Sequence, residues 1–174
     1  EANNIVLFPE QTGFQIFAKG VEKFFPALSG KKTLLRKNDP QGQYLTLFDL
    51  QNNVEEIFIR EKDLYKKGGA ISFLDLRWSA DSQKVLIRTA INEQEKIFWA
   101  DTQQNPANPL ALDFLKGFEK VDFFIGSASG RQFLGLKEQT LFSGDLDSRK
   151  TAEILDDVLA FSSFEGKLYF LKND

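Results

Sequence analysis

The chain has 174 residues, a formal charge of −3 and neither His nor Cys. Those two absences exclude a Ser-His-Asp triad, a Cys-His dyad, a His-held zinc or iron site and any disulfide within the chain. The acidic balance argues against nucleic acid as a partner, which calls for a basic face. A hydrophobic content of 42% with 18 Phe describes one domain with a sizeable core, and aromatic enrichment favours strands.

No apolar run approaches the roughly 20 residues a membrane helix needs, so no membrane span is expected. The opening EANNIVLFPE carries no basic segment ahead of an apolar one, so no signal peptide is expected either. Met is absent throughout, which fits a processed product or a piece of a longer chain.

In chain order the apolar runs are short: IVLF at 5–8, FQIFA at 14–18, TLLR at 33–36, YLTLF at 44–48 and EEIFI at 55–59. They continue with ISFLDLRW, KVLIRT, KIFWA, LALDF, VDFFIG, QFLGL, TLFSG, AEILD, VLAFS and KLYFL. Each lies between clusters of Gly, Asn, Asp, Ser or Pro, which is the pattern of strands and turns. Helical spacing is poor; 61–67 and 108–118 are the best candidates, and both are short. An all-β fold follows.

The runs repeat. FPALSGKKTLLRK, WSADSQKVLIRTA, GSASGRQFLGLKE and SSFEGKLYFLKND align with Gly30, Ser82, Gly130 and Gly166 in register. The intervals are 52, 48 and 36 residues, close to the roughly 40–45 of a four-stranded propeller blade. A second marker keeps the same phase: LFDLQNN, FWADTQQ and FSGDLDS each end a strand on Asp (Asp49, Asp101, Asp145), with Pro9 at that place in LFPEQTG. Each unit reads as strand A, a turn with Gly or Ser, strand B, a loop, strand C ending in Asp, a turn and strand D. Gly suits the A–B turn because tight hairpins need positive φ. Asp suits the C–D turn because its carboxylate accepts from backbone two residues on. One such sheet cannot bury both faces alone, so units must stack.

The segment WSADSQKVLI resembles the W-S-P-D-G-K hairpin of TolB-like, WD-related β-propeller repeats, with ALSGKKTLL, SASGRQFLG and FEGKLYFL as partial copies. Ala80 stands in place of Pro and Ser82 in place of Gly, and Trp occurs in one copy only. The resemblance implies a β-propeller of four-stranded antiparallel blades, with blade equivalents at 22–59, 71–113, 120–155, and 157–172 completed by 5–18. Two arrangements stay open: a closed four-bladed ring with two-plus-two velcro closure, or part of a larger propeller. A lipocalin-like barrel of this length would show no such repeat.

The implied function is non-catalytic: a binding or scaffolding module for another protein, a second copy of itself or a surface ligand. The alternatives are the propeller portion of a larger enzyme, as in prolyl-oligopeptidase-like peptidases, and a propeller fragment that oligomerises. No catalytic residue, metal or cofactor is expected, and the resemblance leans towards the bacterial periplasm or cell surface. Ligands would meet the face built from the B–C and D–A loops, where Asn38, Asp39, Tyr65, Lys66, Lys67, Asn92 and Glu93 lie. The plainer reading of each is a solvated loop or an ordinary turn residue. Asp145 and Asp147 have the spacing of calcium ligands but too few companions. Trp78 and Trp99 would stack a sugar, or, more plainly, pack between blades.

Overall fold

The computed structural model describes residues 5–7, 15–65, 70–124, 129–164 and 167–172. Strands β1 (Ile5–Leu7) and β2 (Gln15–Ala18) form an antiparallel pair. Three four-stranded antiparallel sheets follow: β3 (Val21–Pro26) to β6 (Val54–Arg60), β7 (Ile71–Trp78) to β10 (Leu110–Ala111), and β11 (Lys120–Phe123) to β14 (Lys150–Leu155). Their middle strands are β4 (Lys32–Asp39), β5 (Gly42–Asp49), β8 (Lys84–Ile91), β9 (Gln94–Asp101), β12 (Gln132–Lys137) and β13 (Thr140–Asp145). A final hairpin pairs β15 (Val158–Phe164) with β16 (Lys167–Lys172). Strand order within each sheet is sequence order, a plain meander.

The two helical candidates shrink to α1 (Glu61–Leu64) and a single 3₁₀ turn at Asp113–Leu115. Both sit in connections between sheets.

The second strand of each sheet reads as a continuous apolar run because both faces of the sheet are covered. In β8, Val85 and Ile87 join Leu34, Leu45 and Ile59 in the core between the first and second sheets. Leu86 points the other way and joins Phe123 and Phe133 between the second and third. β4 does the same: Leu34 faces the second sheet, while Leu35 packs with Ala18 and Phe48 beneath the β2–β3 connection. Beyond the third sheet, Leu134 and Leu136 meet Val158 and Phe161 of the last hairpin. The Phe side chains are largely spent on these layers.

At three of the four copies the sequence repeat is a repeat of atoms; Gly166 and Pro9 lie outside the described residues. Gly30, Ser82 and Gly130 adopt left-handed φ values of 67°, 58° and 60°. The Gly30 N–H donates to Ala27 O and the Ser82 N–H to Ser79 O. At the other marker, Asp49, Asp101 and Asp145 each accept from backbone N–H groups two or three residues on: Gln51, Gln103 and Ser148 at 2.9, 2.9 and 2.8 Å. Burial raises the pKa of Asp101, but the Lys84 ammonium (2.7 Å) and the Gln103 amide outweigh it, leaving the carboxyl below its ordinary value.

Several ties between adjacent sheets run from a side-chain donor on one to a main-chain carbonyl on the other. Arg36 donates to Phe73 O at 2.9 Å, and Arg88, 52 residues on, donates to Glu119 O. Lys120 donates to Phe161 O at the third junction. The indole N–H of Trp78 reaches back to Phe25 O at 2.9 Å, and that of Trp99 reaches forward to Gly130 O at 2.8 Å. Both Trp side chains are buried packing elements with a polar tether, the usual settlement for a buried indole.

Candidate functional site

Stacking the sheets brings their first strands, β3, β7, β11 and β15, around a single groove of about 390 Å³. β7 shows how the sequence fills it. Ile71 and Phe73 point into the core, and strict alternation would next bury Asp75 and Arg77. A bulge between Phe73 and Asp75 shifts the register by one residue. Leu76 and Trp78 therefore return to the core, and Asp75 and Arg77 line the groove as an ion pair of 2.9 Å.

From β3 come Lys23 and Phe24, with Leu28 from the turn that follows; Phe24 is 59% and Leu28 77% exposed. From β11 comes Asp122, half-buried, whose Oδ1 accepts from the Phe123 N–H at 2.9 Å. Burial pushes its carboxyl above the ordinary value, against the lowering effect of that amide and of Arg77 and Lys120. The groove thus alternates cation and carboxylate over an apolar floor. No single sign of charge dominates it.

The loop-face residues fall into two groupings among the described residues. Asp39 holds Arg60 at 3.0 Å and the Gln41 N–H at 2.8 Å, and the Arg60 contact foremost keeps its carboxyl below the ordinary range. Arg60 in turn stacks over Tyr44, 4.8 Å from the ring centre. Asn38 is exposed beside them, opposite Gln43. Asn92 and Glu93 are the two central residues of the β8–β9 hairpin, with φ of 48° and 65°, so they serve a tight primed turn. The Asn92 N–H also donates to Ala70 O at 3.0 Å. Tyr65 packs against the main core and lies 5.9 Å from the Lys96 ammonium. Lys66 and Lys67 lie outside the described residues.

Sequence reasoning looked to loops and passed over Asp75, Arg77 and Asp122. The signal was present in LDLRW and KVDFF, where charges interrupt first strands that are otherwise apolar. Asp147 is engaged by Arg131 and Asp145 by its own turn. Among the described residues no group of three or more acidic side chains could hold a metal ion.

Neither a protein-family model nor a curated protein matches the chain. Similar solved structures include the β-propeller domain of the Trilobed protease from Pyrococcus furiosus, which has an open velcro topology. It is 14% identical with a TM-score of 0.61, over 98% of this chain and 56% of that one. The tricorn protease is 12% identical at a TM-score of 0.56, over 88% of this chain and 17% of that one. TolB from Acinetobacter baumannii is 11% identical at 0.47, over 84% and 36%. The chain thus spans about half or less of the structures it resembles. At such identities the likeness is one of fold: this all-β chain of stacked antiparallel sheets is similar to the propeller domains of those proteases.

Proposed function

We propose that this chain is a non-catalytic recognition module that takes up a segment of a partner protein in the axial groove. The observation that carries the reading is the groove itself: first strands of successive sheets converge on it, and Phe24 and Leu28 stand in solvent at its wall. Large apolar side chains rimmed by charge are a usual mark of a binding surface. The test is site-specific photo-crosslinking in the native source. A crosslinker at Leu28 should capture a discrete partner that Arg77→Glu abolishes, while one at Asn52, in an exposed turn, should not. Equal capture at both positions would sink the reading.

The same proposal treats β15–β16 as strands A and B, and β1–β2 as strands C and D, of one further blade, giving blade equivalents at 22–59, 71–113, 120–155 and 157–172 with 5–18. Joining them would remove free sheet edges. Light scattering in solution separates the routes: a monomer supports closure within one chain, a dimer closure by a second copy. A second reading, the propeller portion of a larger enzyme, is favoured by the likeness to protease propellers of which the chain spans only part. A hydrolase domain encoded beside this segment in the parent gene would establish it.

A further inference from the structure

The second sheet differs from its neighbours at its outer edge. In the first sheet β6 pairs with β5 from Tyr44 to Asp49, and in the third β14 pairs with β13 from Leu141 to Asp145. In the second, β10 has two residues and pairs only with Phe98 and Trp99. The outer half of β9, from Gln94 to Ile97, has no fourth strand among the described residues.

The direction of its backbone groups follows from alternation along a strand. Thr89 Oγ1 donates to the Lys96 carbonyl, so Lys96 faces inward to β8. Glu95 and Ile97 therefore face outward. One of their outward groups is satisfied, Ile97 O accepting from the Leu112 N–H at 2.8 Å, where the chain turns into the 3₁₀ segment. Among the described residues the Ile97 N–H and both backbone groups of Glu95 have no partner strand. Beside them lies a cavity of about 330 Å³, floored by Ile97, Leu112, Leu115 and Phe118. Asp113 and Lys116 stand exposed at its rim, and neither forms an ion pair among the described residues.

We infer that this edge is a second, independent docking site, where an extended segment of a partner protein adds to β9 as the missing fourth strand. Its backbone continues the ladder that β10 leaves at Ala111, and an apolar side chain enters the cavity. Flanking acidic and basic residues on that segment complement Lys116 and Asp113. The Asn92–Glu93 hairpin tip forms one end of the site, directly before Gln94. The inference does not depend on the axial groove.

The probe is a phage-displayed random dodecapeptide library selected on the intact chain. Glu95→Pro removes an outward N–H, a change edge strands tolerate, together with the Arg88 contact, and Glu95→Ala controls for loss of that contact. Selected peptides should bind Glu95→Ala like the parent and lose about tenfold on Glu95→Pro. N-methylation of alternate peptide residues should abolish binding at one parity and spare it at the other, a readout that stands even where Glu95→Pro fails to fold. Enrichment of no peptide, equal binding to both variants, or N-methyl tolerance at every position would overturn the inference. So would peptides displaced by Phe24→Ala, which would locate binding in the axial groove instead.

Discussion

The third sheet and the last hairpin use the same kind of strand and end in opposite states. In the third sheet, β12 buries Phe133 against the second sheet and Leu134 against the hairpin, so both faces are covered. In the hairpin, Val158 and Phe161 pack inward, but Leu159, Tyr169, Phe170 and Leu171 remain in solvent, Leu171 at 60%. Apolar strand composition therefore does not by itself make a core. A sheet in this architecture is worth what its two neighbours cover.

Truncating equivalent bulk on the two sides should expose the difference most sharply. Phe133→Ala removes a fully buried ring that touches Phe114 and Phe123, and should cost about 3–5 kcal/mol in urea unfolding. Phe170→Ala removes a ring already half in water and should cost no more than about 0.5 kcal/mol. If both cost the same, the hairpin's outer face is covered in solution.

The polar ties between sheets give a smaller effect. Trp99→Phe keeps most of the ring but leaves the Gly130 carbonyl without its donor, so a loss of about 2 kcal/mol is expected. The same change at Trp78, which tethers Phe25 O, should cost about as much, because both indoles bridge two covered sheets. A much smaller loss at Trp99 would mean that the second and third sheets are held by packing alone.

Smaller again is the effect of Ser82. Its hydroxyl accepts from the Ser29 N–H of the neighbouring sheet at 3.0 Å, while its backbone holds a φ of 58° that favours Gly. Ser82→Ala loses the bond and keeps the strain, about 1 kcal/mol destabilising. Ser82→Gly loses the bond and relieves the strain, so it should fall near zero. Thermal unfolding of the pair separates the two contributions; equal losses would show that the strain is negligible.

What was legible beforehand follows the same division. Gly30, Ser82, Gly130 and the three turn Asp residues were readable because each answers a local backbone demand that recurs in phase. Strand order and the layered core followed from runs such as KVLIRT, which only a sheet buried on both faces sustains. The groove showed only as charges interrupting apolar first strands, because the bulge that turns Asp75 and Arg77 towards it is a register shift and leaves no mark in composition. The shortened β10 was hidden for a related reason: LALDF reads as a strand, yet Leu112 leaves the ladder with a φ of −102° and a ψ of 62°. Tertiary packing decided where that strand stopped.

The least effect is expected from Asp122, and it tests which side of the comparison the groove belongs to. Its carboxyl is raised chiefly by burial, so the folded state favours the protonated form. A raised acid contributes stability that is present below the ordinary carboxylate value of about 3.9 and is lost as pH rises through the folded value. Asp122→Asn should therefore be neutral at the acid end of that window and slightly stabilising above it, in urea midpoints measured across pH. Asp101 has the opposite sign: its lowered carboxyl stabilises above about 3.9 and the benefit is lost as pH falls through the folded value. Asp101→Asn should thus destabilise near neutrality and converge on the parent in acid. Should Asp122→Asn instead follow the parent at every pH, the carboxylate is solvated in the free protein and the groove's third wall is as open as the outer face of the hairpin.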